Sequence, residues 1–566
     1  MNSSPSTERS LYAEGLRELK GKDFAARLLR KDPSLWKEDK KRQDLISRCL
    51  GWIDLPEVMG PSLGTFRSFA AELRAEGFTR ALVLGMGGSS LACEVSSRMF
   101  PAVPGHPALE ILDSTHPSAV EAMAARLDLS KTLFIVSSKS GSTTEPNCLM
   151  EHFFEKIGKI ARDPGRQFAA ITDPGTSLER LARRRKFRKV FLGQPEVGGR
   201  FSALSPFGLL PAALMGIDAA ALVDRARKVL GQLREDPESS PALRLGAALG
   251  QQARAGRDKL TLRLPSPWQP FGPWIEQLVA ESTGKEGRGI LPVCGEPLEA
   301  PQAYGSDRFF VRLRVKNLSD PDEAAWKALE DSGAPCLSLE VSDALDLGGQ
   351  FLNWEIATAA AGALLGVDPF DQPDVQSAKD QTKKLLSCLE RGELPREKAS
   401  FQAGGLSCVA DPGLESRFKG KAIGLAEALG AQLARIKPGD YVAWLAYLEP
   451  HGSNQRALAS LQEATRRLTR APVTALFGPR YLHSTGQLYK GGPSTGVFFL
   501  LTDRPSRLSP IPGQEFDFST LVLAQARGDF AAMVNAGLRI LRLEMGSAGS
   551  EPLRALANAL GELARS

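Results

Sequence analysis

The 566-residue chain has only five histidines and seven cysteines, and neither set is spaced as a metal site or a disulfide framework. Cys49, Cys93, Cys148, Cys294, Cys336, Cys388 and Cys408 form no CxxC pair and are odd in number. A cysteine-stapled secreted fold is thereby excluded, and a reducing cytosol fits. No apolar run reaches the roughly 18 residues of a membrane span. The opening stretch MNSSPSTERSLYAEGLRELKGKD lacks the apolar core of a secretory signal. Charge of one sign is scarce as well: 71 Lys+Arg against 65 Asp+Glu leave +6. That is too dilute for nucleic acid or an anionic membrane as the main partner. GxxxxGK[ST] is absent, which argues against a nucleoside triphosphate. Short-period repeats and low-complexity tracts are absent too, while two similar α/β halves stay open.

What is present is ordinary globular material, 42% hydrophobic and 24% charged, long enough for three or four domains. Residues 1–50 read as a helical arm, with Leu16, Leu19, Phe24, Leu28 and Leu29 at helical spacings. From Thr79 the pattern becomes short apolar strands (RALVLG, ALEILD, TLFIVSS, FAAITD, KVFLG) alternating with amphipathic helices. Such non-alternating strands suit a parallel sheet covered on both faces, so 51–235 reads as a doubly wound α/β domain. A second α/β domain is expected over 236–390, from KLTLRLP, DRFFVRLRV, PCLSLEV and a small-residue helix from about Gln350 to Leu365. The charged stretch around 391–403 reads as a linker. YVAWLAYLE, PVTALFG, GVFFLLTD and a last helix running through Ile540 make 404–566 a further mixed α/β unit.

Two loops carry chemistry. Gly85-Met86-Gly87-Gly88-Ser89-Ser90 follows the first strand, where glycines let the backbone approach an anion and a helix N-terminus holds it. A tight strand-to-helix turn is the plainer reading. A dinucleotide site is a rival, since Glu110 and Asp113 end the next strand, but Ser90 stands where GxGxxG needs its last glycine. The second loop, Ser137-Ser138-Lys139-Ser140-Gly141-Ser142-Thr143-Thr144-Glu145, gathers hydroxyls and a lysine after another strand. By itself it reads equally as a capped Ser/Thr turn. Both loops on the C-terminal edge of one parallel sheet favour a monophosphate cradle.

Spacing adds candidates and leaves each open. Gln277 and Glu281 share one helix face, where Glu281 is either a reactive carboxylate or a helix-end partner of Lys285. Arg200 follows Gly198-Gly199 as a cation for a developing oxyanion or as a surface arginine. Gln372 and Lys379, two helical turns apart, either face one site or line a solvated stripe. The run Arg183-Arg184-Arg185-Lys186 reads as a solvated helix end.

GMGGSS with SSKSGSTTE resembles the sugar isomerase (SIS) domain. The further stretches EVGGRFSALSPFG, ESTGKEGRGILP and LLGVDPFDQPDVQSAK are similar, in order, to the glucose-6-phosphate isomerase family. YLHSTGQLYKGGP and KDPSLWKEDK are most similar to the isomerase half of bifunctional transaldolase/isomerase fusions, although the chain is too short for a transaldolase barrel ahead of that half. The resemblance implies an α/β fold of two doubly wound SIS-type domains with parallel sheets, plus the N-terminal helical arm and a C-terminal mixed α/β lobe. It also implies reversible isomerisation of glucose 6-phosphate to fructose 6-phosphate through a cis-enediolate, a proton transfer that requires no redox cofactor, and the lack of any ligand-spaced His, Cys and carboxylate cluster predicts that it is metal-independent. Residue by residue, it makes Glu281 the proton-transferring base and Arg200 the enediolate-stabilising cation. Lys379 and Gln372 would serve ring opening and substrate contact, with Gln277 against the substrate. Ser138, Ser140 and Thr143 would hold the phosphate, beside Gly88 and Ser89, with Lys139 adding charge at the rim.

The family's ring-opening histidine precedes the DQ…K helix, yet no histidine lies between His152 and His451. His483, in a Gly-rich segment, is the candidate for that role; a turn-forming histidine is the alternative. A cytoplasmic homodimer acting on a sugar phosphate completes the expectation; whether a separate transaldolase partners it stays open. The competing readings are a phosphoglucose/phosphomannose isomerase and a non-catalytic sugar-phosphate sensor. The joint presence of Glu281, Arg200, Gln372 and Lys379 counts against the sensor, which needs the cradle but not the proton-transfer set.

Overall fold

The computed structural model describes residues 10–389, 397–505, 509–547 and 551–565. Strands β1 (Arg80–Gly85), β2 (Ala108–Leu112), β3 (Thr132–Ser137), β4 (Phe168–Thr172) and β5 (Lys189–Leu192) form an all-parallel sheet in the order β2-β1-β3-β4-β5. Apolar side chains fill both faces: every residue of β3 and β4 is buried, as a sheet between two helical layers requires. The winding reverses between β1 and β3, so the loops after those two strands lie side by side at the carboxyl edge.

A second parallel sheet follows in the order β7-β6-β8-β9, from β6 (Lys259–Arg263), β7 (Leu291–Val293), β8 (Arg308–Val315) and β9 (Cys336–Val341). The crossover from β6 to β7 contains the helix Gly272–Thr283, and the helix Leu347–Leu365 that covers the domain is buried along its whole length. Small residues permit that closeness. A Cβ on Gly246 of the helix Pro241–Arg254 would stand 2.6 Å from the Ala357 carbonyl of the buried helix.

The N-terminal arm clamps onto this pair of helices. The Trp36 indole N–H donates to the Ala359 carbonyl at 2.8 Å, and its ring meets Phe370 edge-on at 4.9 Å. That anchor ties the arm to the helix running up to the DPFDQ segment.

The C-terminal lobe is a seven-stranded mixed sheet in the order β12-β10-β11-β16-β15-β13-β14. Its strands are β10 (Phe401–Ala403), β11 (Leu406–Ala410), β12 (Ala422–Ile423), β13 (Tyr441–Tyr447), β14 (Val473–Phe477), β15 (Gly496–Arg504) and β16 (Arg539–Ser547). Two sequence expectations change here. The helix expected to run through Ile540 as the last one ends at Asn535, the terminal helix is Glu551–Leu563, and Arg539–Ser547 is a strand. Its Arg539, Arg542 and Glu544 mask an apolar set, Ile540, Leu541, Leu543 and Met545, that is buried in the sheet. Of the linker expected at 391–403, residues 391–396 lie outside the described residues, and Phe401–Ala403 belongs to β10. The helix Phe518–Asn535 docks on Val375–Leu389: a Cβ at Gly528 would lie 2.7 Å from Thr382 Oγ1. Among the described residues no helix is long and apolar enough to cross a membrane.

Candidate active site

The loop after β1 is shaped by close approach. Gly87 has φ +53°, and a Cβ there would sit 2.7 Å from Gln277 Nε2 and 2.7 Å from the His483 carbonyl. A Cβ on Gly88 would fall 2.1 Å from the Gly199 carbonyl, inside van der Waals contact with backbone. Gly88→Ala is therefore expected to destabilise the chain by about 3 kcal/mol and to displace the Gly199-Arg200 turn. A chemical-denaturation midpoint unchanged from wild type would refute this.

The second loop is tied to the first by the Ser137 hydroxyl, which donates to the Ser89 carbonyl at 2.8 Å. Ser138 Oγ donates to Thr143 Oγ1 at 3.2 Å, and Ser140 Oγ accepts from the Ser142 N–H at 3.3 Å. The chain then enters the helix Thr144–Gly158, whose first N–H groups have no intrahelical partner and carry its positive dipole end. Lys139 sits differently from its expected place on the rim. Its ammonium pairs with Asp173 and donates to the carbonyls of Gln194 at 3.2 Å and Pro195 at 3.3 Å. Its charge is thus compensated within the protein.

Arg200 is buried, and every arm of its guanidinium is used. Nε donates to Ser282 Oγ at 2.8 Å, Nη1 to Gln372 Oε1 at 2.8 Å, and Nη2 to the carbonyls of Pro369 at 2.7 Å and Asp371 at 2.8 Å. Nη1 also faces Glu281 Oε1 at 3.3 Å. Glu281 itself, at the end of the helix Gly272–Thr283, accepts from Gln277 Nε2 at 3.1 Å. Lys285, the other partner that spacing allows it, instead bonds Asp371 at 2.8 Å. Burial, helped by the Arg200 charge, lowers the Lys285 ammonium to about 8.

His483 reaches this cluster from the lobe, at the end of the short 3-10 helix Arg480–His483 in the connection between β14 and β15. Its carbonyl accepts from Gln277 Nε2 at 2.6 Å, and its imidazole Nε2 meets Glu145 Oε1 at 3.2 Å. Glu145 also accepts from Gln525 at 2.8 Å. Burial pushes the Glu145 carboxyl up, but the charges of His483 and then Lys379 outweigh it and hold the group below the usual range. Lys379 lies on the exposed face of the helix Val375–Leu389, whereas Gln372, expected two turns before it on the same helix, precedes the helix in irregular chain after Pro369, so the two do not share a helix face. Glu145 and Gln525 were missed from sequence. Glu145 closes the SSKSGSTTE motif, yet its partners are hundreds of residues away, and no local pattern announces them.

The same helix as Glu281, Gly272–Thr283, buries Glu276, and burial pushes its carboxyl up to about 8 against the pull of Arg480. Between the unfolded value near 4.3 and about 8, the native state holds a proton that the unfolded chain has lost, so this group makes stability fall as pH rises. Glu276→Gln is expected to melt above wild type by a margin that widens from pH 5 to pH 8, on the order of a few kcal/mol at its largest. A margin independent of pH would contradict it.

Comparison with known proteins bears on this cluster. The sequence model of the phosphoglucose isomerase family matches residues 69–287. A glucose-6-phosphate isomerase from Rubrobacter xylanophilus is 30% identical over 363 residues, 55% of this chain and 83% of that protein. The chain belongs to the glucose-6-phosphate isomerase family. A glucose-6-phosphate isomerase from Heliobacterium modesticaldum is 28% identical over 416 residues, covering 63% of this chain and 91% of its own. A hypothetical protein from Thermus thermophilus superposes with a TM-score of 0.55 at 26% identity, over 66% of this chain and 96% of that one. The family match contains both loops, Arg200 and Glu281, and ends before Gln372, Lys379 and His483.

Proposed function

We propose that this chain interconverts glucose 6-phosphate and fructose 6-phosphate, with Glu281 carrying the proton between C1 and C2. The observation that supports it most is the Glu281, Arg200 and Gln372 contact set, packed against the two hydroxyl- and glycine-rich loops, in a member of this family. The loop hydroxyls of Ser138, Ser140 and Thr143 receive the phosphate. The reacting carbons then lie over Glu281, whose carboxylate removes a proton from one carbon and returns it to the other. Arg200, fixed by its neighbours, faces the oxygens on which negative charge develops in the enediolate. Because its donors are already oriented, little reorganisation accompanies charge formation.

Ring opening is assigned to His483. The Glu145 carboxylate, 3.2 Å from its Nε2, orients the imidazole, while Lys379, on the helix Val375–Leu389, acts on that same carboxylate and Gln372, in the segment before the helix, holds Arg200. His483→Ala is expected to lower the rate of α/β-anomer exchange of glucose 6-phosphate by about 100-fold. Magnetisation-transfer NMR measures that rate directly, and unchanged exchange would remove His483 from the mechanism.

The activity itself is tested by incubating the purified chain with fructose 6-phosphate and reading glucose 6-phosphate formation, with mannose 6-phosphate in parallel. Turnover of fructose 6-phosphate supports the reading. Binding of the sugar phosphate without turnover overturns it and leaves a sensor.

A further inference from the structure

Behind the Glu281 helix lies a cavity that the isomerase mechanism does not use. It has a volume of about 580 Å³ and is bounded by the helix Gly272–Thr283, the segment after β7 and strand β14 of the lobe. A second cavity of about 220 Å³ shares Arg98, Pro273, Glu276, Ala475 and Leu476 with it. A space of this size suits a small metabolite.

Among the described residues, every charged group on its walls but one has an ion-pair partner within the chain. Arg263 pairs with Asp322, and Arg480 pairs with Glu94 and, at 3.1 Å, with Asp113. Arg98 also holds Glu94, at 3.2 Å, and Glu296 is bound by Arg308 at 2.9 Å. The exception is Glu276. Its side chain is 6% exposed, lines both cavities, and has no hydrogen-bond partner among the described residues. The groups that act on it electrostatically are Arg480, engaged elsewhere, and the neutral Cys294 and Tyr489. A buried carboxyl without a partner is costly, and what relieves it is a donor supplied from outside the chain.

We propose that this cavity is a second binding site, for a small organic cation whose ammonium is held by the Glu276 carboxylate. Leu262, Leu264 and Leu298 offer apolar surface to the stem of such a ligand. An anion finds no free cation there, since each arginine on the wall already faces a carboxylate. Entry of the cation displaces the carboxyl proton to solvent, so binding releases up to one proton and the ion pair forms away from bulk water.

Isothermal titration calorimetry of the full chain at pH 7.5, with tyramine as the probe and 4-ethylphenol as its neutral counterpart, tests this. Tyramine is expected to bind at least about tenfold more tightly than 4-ethylphenol, with proton release seen as a dependence of the heat on buffer ionisation enthalpy. Glu276→Gln, which keeps the shape of the protonated side chain, is expected to weaken tyramine about tenfold or more. Ala475→Leu narrows the junction of the two cavities without touching the carboxyl, and is expected to weaken it too. A thermal melt confirms that both variants fold. Equal affinity for the two probes, unchanged binding by Glu276→Gln, or no tyramine heat up to about 10 mM would each overturn the proposal. The titration reads binding alone, so its outcome is separate from that of the isomerase assay.

Discussion

Glu281→Gln is expected to lower kcat for fructose 6-phosphate isomerisation by about 10³-fold while KM stays within about threefold. The amide keeps the size of the side chain and can still meet Gln277 and Arg200, so the loops that hold the phosphate are undisturbed. What it cannot do is accept and return a carbon-bound proton. The loss therefore falls on the chemical step, which is how an interaction made only on the way to the transition state behaves. Deuterium incorporation from solvent into C2 of recovered glucose 6-phosphate is the complementary measurement, since it reports proton removal even when product formation is slow. Retention of more than about a tenth of wild-type kcat, or of exchange, would exclude Glu281 as the base.

Arg200→Lys is expected to lower kcat by about 10²-fold to 10³-fold and to cost the fold about 3 kcal/mol as well. The guanidinium spans Ser282, Gln372 and the carbonyls of Pro369 and Asp371 in one plane, and presents Nη1 to Glu281. A lysine ammonium is a point charge and cannot reach these acceptors from one position. Buried carbonyls are left without donors, and the cation facing the developing oxyanion is no longer fixed. Steady-state kinetics with a parallel urea melt separates the two effects. A variant with wild-type kcat would show that the enediolate does not lie against Arg200.

How much of this was readable beforehand depends on the distance over which the signal is carried. The doubly wound first sheet and its two loops are local: strands of continuous apolar residues, each followed by glycines and hydroxyls, mark both the fold and its carboxyl edge. For Arg200 and Glu281, neighbouring glycines and helical spacing leave a structural and a functional reading open, and only the family resemblance separates them. Their mutual contact, together with the diversion of Lys285 to Asp371, needed three dimensions. Lys139 shows the limit of composition: a lysine among serines suggests an anion site, yet its ammonium is engaged by Asp173 on the next strand's loop. Strand β16 was hidden because charged residues break its apolar pattern, while its pairing with β11 and β15 comes from remote sequence. Glu145 lies inside a legible motif but nothing local signals its role, since the groups that define it lie in the lobe.

Synthesis of the chain meets the same separation in time. His483 lies 338 residues after Glu145, and Gln525 lies 380 residues after it. A ribosome completes the first sheet, its helices and both loops long before either partner exists. Until the lobe docks, Glu145 has neither the imidazole nor the amide that engages it, and Gln277 lacks the carbonyl it donates to. The nascent isomerase half is thus assembled with one polar wall open to water, and closing that wall is a late, long-range event, the kind of step that slows folding.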